Sequence, residues 1–171
     1  MKETIILVDK DDKDIGSIEK LEAHKKGLLH RAFSVFIFNS KGQLLMQQRA
    51  DGKYHSAGLW TNTCCSHPNY GETTLKAVHR RMKEEMDMVA AVEFKFKFTY
   101  KALLENNLTE HEIDHVYFGV SDDLPKINPG EVKSWKYISM EELEEELTKH
   151  PENYTAWLKI CFPEVLRHFN S

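Results

Sequence analysis

The alternation of apolar and polar side chains over residues 92–100 is the feature that most constrains how this chain folds. Val92, Phe94, Phe96, Phe98 and Tyr100 alternate with charged or hydroxyl residues. A period of two predicts a long strand with one apolar face. We expect the phenylalanines of this run to lie in the core rather than at a binding site. The chain therefore contains β-structure, and its other elements decide the kind of sheet.

Further strands are predicted over residues 4–8, 15–18, 32–38, 43–49, 112–120 and 135–138. Helices are predicted near residues 20–23, from Thr73 or Thr74 to Met86, from Ser139 to about Lys149, and over part of 155–169, where Pro163 disturbs the helix. In the second helix, an apolar stripe is expected at Leu75, Val78, Met82 and Met86. Strands occur both in hairpins and with helices between them. This mixture favours an α/β (α+β) fold in which helices pack on the faces of a mixed β-sheet.

Size and charge narrow the class of protein. The 171 residues are 41% hydrophobic, with no repeat or linker, so we expect a single domain over residues 1–171. A net charge of -4 without a basic stripe indicates no nucleic-acid partner. No signal peptide or membrane-spanning run is evident, and two of the three cysteines are adjacent, so we expect a reducing, cytoplasmic setting. We expect a monomer or a weak dimer.

The segment Trp60 to Pro68 carries the most informative chemistry. Cys65 stands two residues before His67, directly ahead of a helix rich in Glu and Arg. Alternate residues of an extended chain point to the same side. Cys65 and His67 can therefore line one pocket, the first as a proton-transfer group and the second as a metal ligand.

Histidines and carboxylates offer a candidate metal site. Nine histidines are present. In an extended segment Glu110, Glu112 and Asp114 share one face. Three imidazoles with two carboxylates would suit Mn, Mg or Zn better than a thiolate-binding metal. The alternative is that scattered surface histidines bind nothing, since no pair has the spacing of a metalloprotease helix.

Charged and aromatic side chains suggest a second feature. Lys20, Arg49, Lys53 and Arg81 can bind an anion such as a diphosphate. Tyr100 and Trp157 can border an apolar pocket in which a ring face attracts a cation. By contrast, the pairs Arg80 with Glu84 and Arg81 with Glu85 have the spacing of ion pairs on a solvated helix face.

Together these residues resemble a known family. Residues 66–88 resemble the Nudix box, with Glu72, Arg80, Met82, Glu84, Glu85 and Met88 retained, and with Ser66, Arg81 and Asp87 in place of its first Gly, a Glu and its last Gly. A degenerate box of this kind is similar to that of type I isopentenyl diphosphate isomerases, a non-hydrolysing Nudix family. Residues 21–24, 29–34, 58–62 and 110–114 also match blocks of that family in order.

The resemblance implies a Nudix-like mixed β-sheet sandwiched between helices, and an enzyme that interconverts isopentenyl and dimethylallyl diphosphate in isoprenoid biosynthesis. Its implied metal ligands are His24, His30, His67, Glu110 and Glu112, with Glu85 binding a second Mg²⁺ carried by the diphosphate. Cys65 and Glu112 would be the opposing acid and base, assisted by Tyr100. Lys20, Arg49, Lys53 and Arg81 would hold the diphosphate, and Trp157 would shield a cationic intermediate.

Two other functions fit parts of the sequence. A Nudix pyrophosphohydrolase acting on a nucleoside diphosphate derivative would use the same box. However, Arg81 replaces a Glu that such hydrolases use to gather metal ions. A catalytically idle binding module is a third possibility, against which the presence of both Cys65 and Glu112 argues.

Overall fold

The computed structural model describes residues 3–171, and Met1 and Lys2, which the predicted single domain includes, lie outside the described residues. Within that range the strands are β1 Thr4–Val8, β2 Asp14–Glu19, β3 His30–Phe38, β4 Leu44–Arg49, β5 Trp60–Thr61, β6 Cys64–Ser66, β7 Val92–Leu103, β8 Thr109–Val120 and β9 Val132–Ile138. The helices are α1 Lys20–Lys26, α2 Thr74–Met86, α3 Met140–Lys149 and α4 Ala156–Phe169.

The strands form one mixed sheet organised around β3. On one side β3 pairs in parallel with β8, and on the other it pairs antiparallel with β6. Strand β7 is antiparallel to β8, and β4 is antiparallel to β9. Residues 32–38 of β3 are all buried, as expected for a central strand covered on both faces.

Helices cover both faces of this sheet. Phe33, Val35 and Ile37 pack with the apolar side of α2. Phe36 and Phe38 pack with α3 and α4 on the opposite face. The predicted mixed sheet between helices is thus confirmed, and we call these the α2 face and the α4 face.

Two side chains predicted to be buried are exposed. Leu75 is 47% exposed because the buried stripe of α2 runs through Ala77, Val78, Met82 and Met86 instead. Phe94 is 48% exposed, so its assignment to the core was wrong. A bulge between Phe94 and Phe96 places Phe94 opposite Tyr117 and Phe96 opposite Val116, on different faces of the sheet. Phe96 and Phe98 are half-buried against the α4-face core.

The last two helices agree with the sequence in part. Ser139 caps α3 by accepting a hydrogen bond from the amide of Glu142, as predicted. Helix α4 continues through Pro163 rather than breaking there. Strands β5 and β6 were not predicted, because two or three residues are too short to show a period.

Helix α2 ends at Asp87 in the left-handed conformation, with φ 49° and ψ 43°. Non-glycine residues pay a steric cost there, and the Asp87 contact with Lys83 is exposed and contributes little. We therefore expect Asp87→Gly to raise the free energy of unfolding by about 0.5–1 kcal/mol. Urea titration measures this. A fall in stability would show that the Asp87 side chain contributes more than its backbone conformation costs.

Candidate active site

Five side chains predicted as metal ligands converge at one end of the sheet, on the α4 face. They come from α1 (His24), the start of β3 (His30), the residue after β6 (His67) and β8 (Glu110, Glu112). Each offers one ligand atom, and these atoms all lie within 4.8 Å of one another. We call this group the His/Glu cluster.

Backbone carbonyls set the orientation of two of these imidazoles. The Nδ1–H of His24 donates to the carbonyl of Lys20 at 2.7 Å, and that of His30 donates to the carbonyl of Leu28 at 2.8 Å. In a neutral ring the Nε2 atom then carries only a lone pair. Burial lowers the pKa of His30 to about 4, so this ring is neutral at physiological pH.

The clearest facing pair in the cluster consists of two hydrogen-bond acceptors, because the Nδ1 atom of a neutral His24 carries its ring proton and its Nε2 atom faces the carboxylate of Glu110. The Nε2 atoms of His24 and His30 lie 3.0 Å from carboxylate oxygens of Glu110 and Glu112, respectively. The Nε2 atom of His67 lies 2.6 Å from the same oxygen of Glu112. Lone pairs at such distances repel unless a cation lies between them. Neighbouring ligands of an octahedral ion bound at about 2.0–2.1 Å are about 3 Å apart, so these residues fit a divalent metal.

The thiol of Cys65 lies in a defined hydrogen-bonding environment. It donates to Oδ1 of Asn62 at 3.0 Å, and its sulfur accepts from the indole N–H of Trp157 at 3.1 Å. Burial, together with the charge of Asp114, raises the pKa of Cys65 to about 12. The thiol is therefore protonated at neutral pH. Cys64 points to the α2 face instead, where it is fully buried.

Glu112 links the His/Glu cluster to Tyr100. The Tyr100 hydroxyl donates to Oε1 of Glu112, while Oε2 faces the histidines. Burial, and then the neighbouring Glu110 charge, raises the pKa of Glu112 well above its usual range. Asp114 is buried nearby and accepts from the Ser34 hydroxyl at 2.8 Å. Burial raises the pKa of Asp114 to about 8.

Cys65 and Glu112 reach one cavity from opposite sides of β3. Cys65, on β6, pairs with Ser34 of β3, whereas Glu112, on β8, pairs with His30 of β3. Ser34 and His30 are an even number of residues apart, so both pairs face the same side of the sheet. The cavity between them is lined by both groups together with Lys20, Phe33, Arg49, Lys53, His55, Ser66, His67, Arg81, Glu110, Asp114 and Trp157.

All four predicted anion-binding side chains line this cavity. The Nε atoms of Arg49 and Arg81 are buried and have no hydrogen-bond partner among residues 3–171. Arg81 Nη2 contacts the carboxylate of Glu131 at 3.1 Å, and Lys53 binds the same oxygen. The cavity lining therefore combines four basic side chains with these two unpartnered N–H donors, which suits an anionic ligand.

Glu85 lies outside the His/Glu cluster. Its carboxylate accepts from Gln47 at 2.8 Å and from Arg81 at 3.0 Å, and it contacts the thiol of Cys64. Arg81 and Glu85 are 9% and 3% exposed, so the alternative in which this pair lies on a solvated helix face does not hold. The neighbouring pair Arg80 and Glu84 is more exposed, as expected, and Arg80 also binds Glu72.

Sequence reasoning missed two residues that touch the site. Asn62 is fully buried, and its amide donates to the carbonyls of Val35 and Cys64, which directs its oxygen at Cys65. His55 is 4% exposed and contacts Glu110. Asn62 belongs to a matched family block, which was a usable signal. His55 has no sequence pattern that distinguishes it from the other histidines.

Comparison with known proteins assigns the family. The NUDIX domain model matches residues 28–158. The chain is 55% identical to an isopentenyl-diphosphate Delta-isomerase of Pectobacterium atrosepticum, over 94% of this chain and 90% of that protein. It is 47% identical to isopentenyl-diphosphate Delta-isomerase 1 of Aromatoleum aromaticum, over 97% and 94% of the two chains. The chain belongs to the isopentenyl-diphosphate Delta-isomerase family of NUDIX proteins.

Solved structures agree with this family at the level of the fold. The crystal structure of DR0079 from Deinococcus radiodurans superposes with a TM-score of 0.80 at 20% identity, covering 95% of this chain and 98% of that one. A MutT protein from Methanosarcina mazei superposes with a TM-score of 0.69 at 18% identity, covering 84% and 96%. The described part of this isomerase-family chain contains no helix long and apolar enough to span a membrane.

Proposed function

We propose that this protein interconverts isopentenyl diphosphate and dimethylallyl diphosphate. The observation that carries the proposal is the placement of the Cys65 thiol and the Glu112 carboxyl group on opposite sides of β3, around one cavity that four basic side chains also line. Relatives at 47–55% identity that are named isopentenyl-diphosphate Delta-isomerase support the proposal. The product would supply isoprenoid biosynthesis.

Moving a double bond in this substrate needs a proton added at one carbon and another removed nearby. An isolated alkene is a weak base, so protonation gives a tertiary carbocation of high energy. Catalysis therefore requires an acid and a base on opposite faces of the alkene, with water excluded. Cys65 gives or takes the proton on one face. Glu112, hydrogen-bonded to Tyr100, serves the other face, and the ring of Trp157 stabilises the cation.

The diphosphate would be held by four side chains that line the cavity, Lys20, Arg49, Lys53 and Arg81. The buried Nε atoms of Arg49 and Arg81 have no hydrogen-bond partner among the described residues. These free donors support the binding of an anion beside the two arginines. The guanidinium of Arg49 also lies 5.3 Å from the centre of the Trp157 ring, which lines the same cavity. This arrangement anchors the charged end of the substrate and leaves its alkene beside Cys65.

His24, His30, His67, Glu110 and Glu112 would hold one divalent metal, Mn, Mg or Zn. When bound, the metal supplies positive charge that favours the carboxylate form of Glu112 and fixes its orientation. We further propose that Glu85 binds a second Mg²⁺ carried by the diphosphate, which requires it to exchange its present contacts with Gln47 and Arg81.

Arg81 supports isomerisation over hydrolysis. NUDIX hydrolysis needs carboxylates that gather metal ions around a diphosphate. Here Arg81 stands in place of one such Glu and lines the cavity, with its Nη2 atom 3.1 Å from Glu131. The substitution removes a metal ligand and adds a group that holds the diphosphate.

The direct test is incubation of the purified protein with Mg²⁺ or Mn²⁺ and isopentenyl diphosphate in deuterium oxide. We expect dimethylallyl diphosphate to form and deuterium to enter both isomers, since the proton exchanges with solvent through the acid and base. NMR and mass spectrometry measure both results. If neither isomer formation nor deuterium uptake occurs, the proposal fails, and release of phosphate or of a nucleoside monophosphate from nucleoside diphosphate derivatives would support a hydrolase instead.

A further inference from the structure

We propose that His55 is a positioning residue for the metal site, acting through Glu110. This inference rests on the metal site of the proposed function, but not on the isomerisation itself. His55 lies outside the His/Glu cluster, on the loop between β4 and β5. Its Nε2 atom lies 2.9 Å from Oε1 of Glu110, and both side chains are almost fully buried.

The tautomer of His55 follows from its two partners. The Glu110 carboxylate is only an acceptor, so the His55 Nε2 atom must carry the proton. The other ring nitrogen, Nδ1, then accepts from the Ser56 hydroxyl at 3.1 Å. A neutral imidazole satisfies both contacts, and it leaves no free nitrogen to bind a metal itself.

This hydrogen bond bears directly on a metal ligand. Oε1 of Glu110 is also the atom that faces Nε2 of His24 at 3.0 Å. A carboxylate oxygen has two lone-pair directions. If His55 occupies one of them, the other is directed at His24, where the cation would lie. Outer partners of this type typically change metal affinity by about 10- to 100-fold.

The loop around His55 is held in place from several sides. Arg49 donates to the His55 carbonyl at 3.2 Å, and the amide of Ser56 donates to the side chain of Glu105. Ser56 has a φ of 54°, a left-handed conformation that a non-glycine residue adopts only when its surroundings impose it. The imidazole of His55 is therefore presented to Glu110 by a fixed backbone.

The test compares metal binding among variants of the full-length protein without substrate. His55→Gln keeps an N–H near the position of Nε2, whereas His55→Asn places its amide near Nδ1 and His55→Ala removes the ring. We expect Mn²⁺ affinity, measured by calorimetry on metal-free protein, to fall about 10- to 100-fold in His55→Ala and His55→Asn and to recover largely in His55→Gln. His79→Ala, at an exposed histidine of α2, is the matched control and should match the wild type.

A second measurement separates positioning from folding. Thermal unfolding in EDTA should show similar midpoints for His55→Gln and His55→Asn, because both fill the site with an amide. If these two variants bound Mn²⁺ equally well, or if His55→Ala bound it as tightly as the wild type, the inference would be overturned. The same holds if the wild type bound no Mn²⁺. If the variants show the expected order of Mn²⁺ affinities but the wild type is inactive in the deuterium assay, the isomerase proposal is contradicted and the role of His55 is not.

Discussion

Cys65→Ala is expected to abolish isomerisation while leaving the metal bound. The sulfur lies among Asn62, Ser34 and Trp157 rather than in the His/Glu cluster, so its removal leaves every cluster atom in place. Loss of an acid–base group typically lowers the rate by about 10²- to 10⁴-fold. We expect the loss of turnover to lie at the upper end of that range or beyond it. Deuterium incorporation measures turnover, and calorimetry with Mn²⁺ measures the metal.

Cys64→Ala is the matched control for this variant. The neighbouring thiol is fully buried on the α2 face beside Glu85, away from the cavity. Its loss should cost about 1 kcal/mol of stability, as for an ordinary core truncation, and leave turnover largely intact. Equal loss of activity in the two variants would show that the thiol of Cys65 has no special role.

Glu112→Gln should remove both the metal and the activity. Its carboxylate faces His30 and His67 through one oxygen and accepts from Tyr100 through the other. An amide of the same shape loses the negative charge and the basic oxygen. We expect Mn²⁺ affinity to fall by at least about 100-fold, and turnover by more than about 10⁴-fold, because ligand and acid–base roles are lost together.

The comparison variant is Glu93→Gln, which neutralises an exposed carboxylate on β7 that contacts only Lys95 among the hydrogen-bond partners described. It should behave as wild type in both measurements. Assay of Glu112→Gln at saturating Mn²⁺ then separates the two roles. Full recovery of turnover would limit Glu112 to metal binding and contradict its assignment as an acid–base group.

The apolar periodicity of the sequence predicts the long strands of the sheet better than its bulge and its short strands. Apolar periodicity located the long strands and α2, because burial imposes that periodicity on the sequence. It could not reveal the bulge before Phe96, since a single inserted residue changes the face of a side chain without changing composition. The two strands that carry Trp60 and Cys65 have too few residues to show a period.

Spacing predicted that Cys65 and His67 share a pocket, but the full candidate site was predicted by family resemblance. His30 and Glu112 are 82 residues apart in sequence, and only the parallel pairing of β3 with β8 brings them together. The orientation of the imidazoles depends on carbonyls of Lys20 and Leu28, which no side-chain pattern encodes. The proposed role of His55 likewise depends on the left-handed backbone conformation of Ser56, which the sequence does not predict.

The pairing of β3 with β8 also has a consequence for how the protein acquires its structure. Contacts between distant parts of a chain form slowly, because the chain loses the entropy of closing a long loop before the contacts stabilise it. A nascent or truncated chain ending before β8 lacks both Glu110 and Glu112, so it has only the imidazoles of the His/Glu cluster. Divalent ions should therefore leave the early phases of refolding unchanged and act afterwards, by slowing the unfolding of the completed molecule.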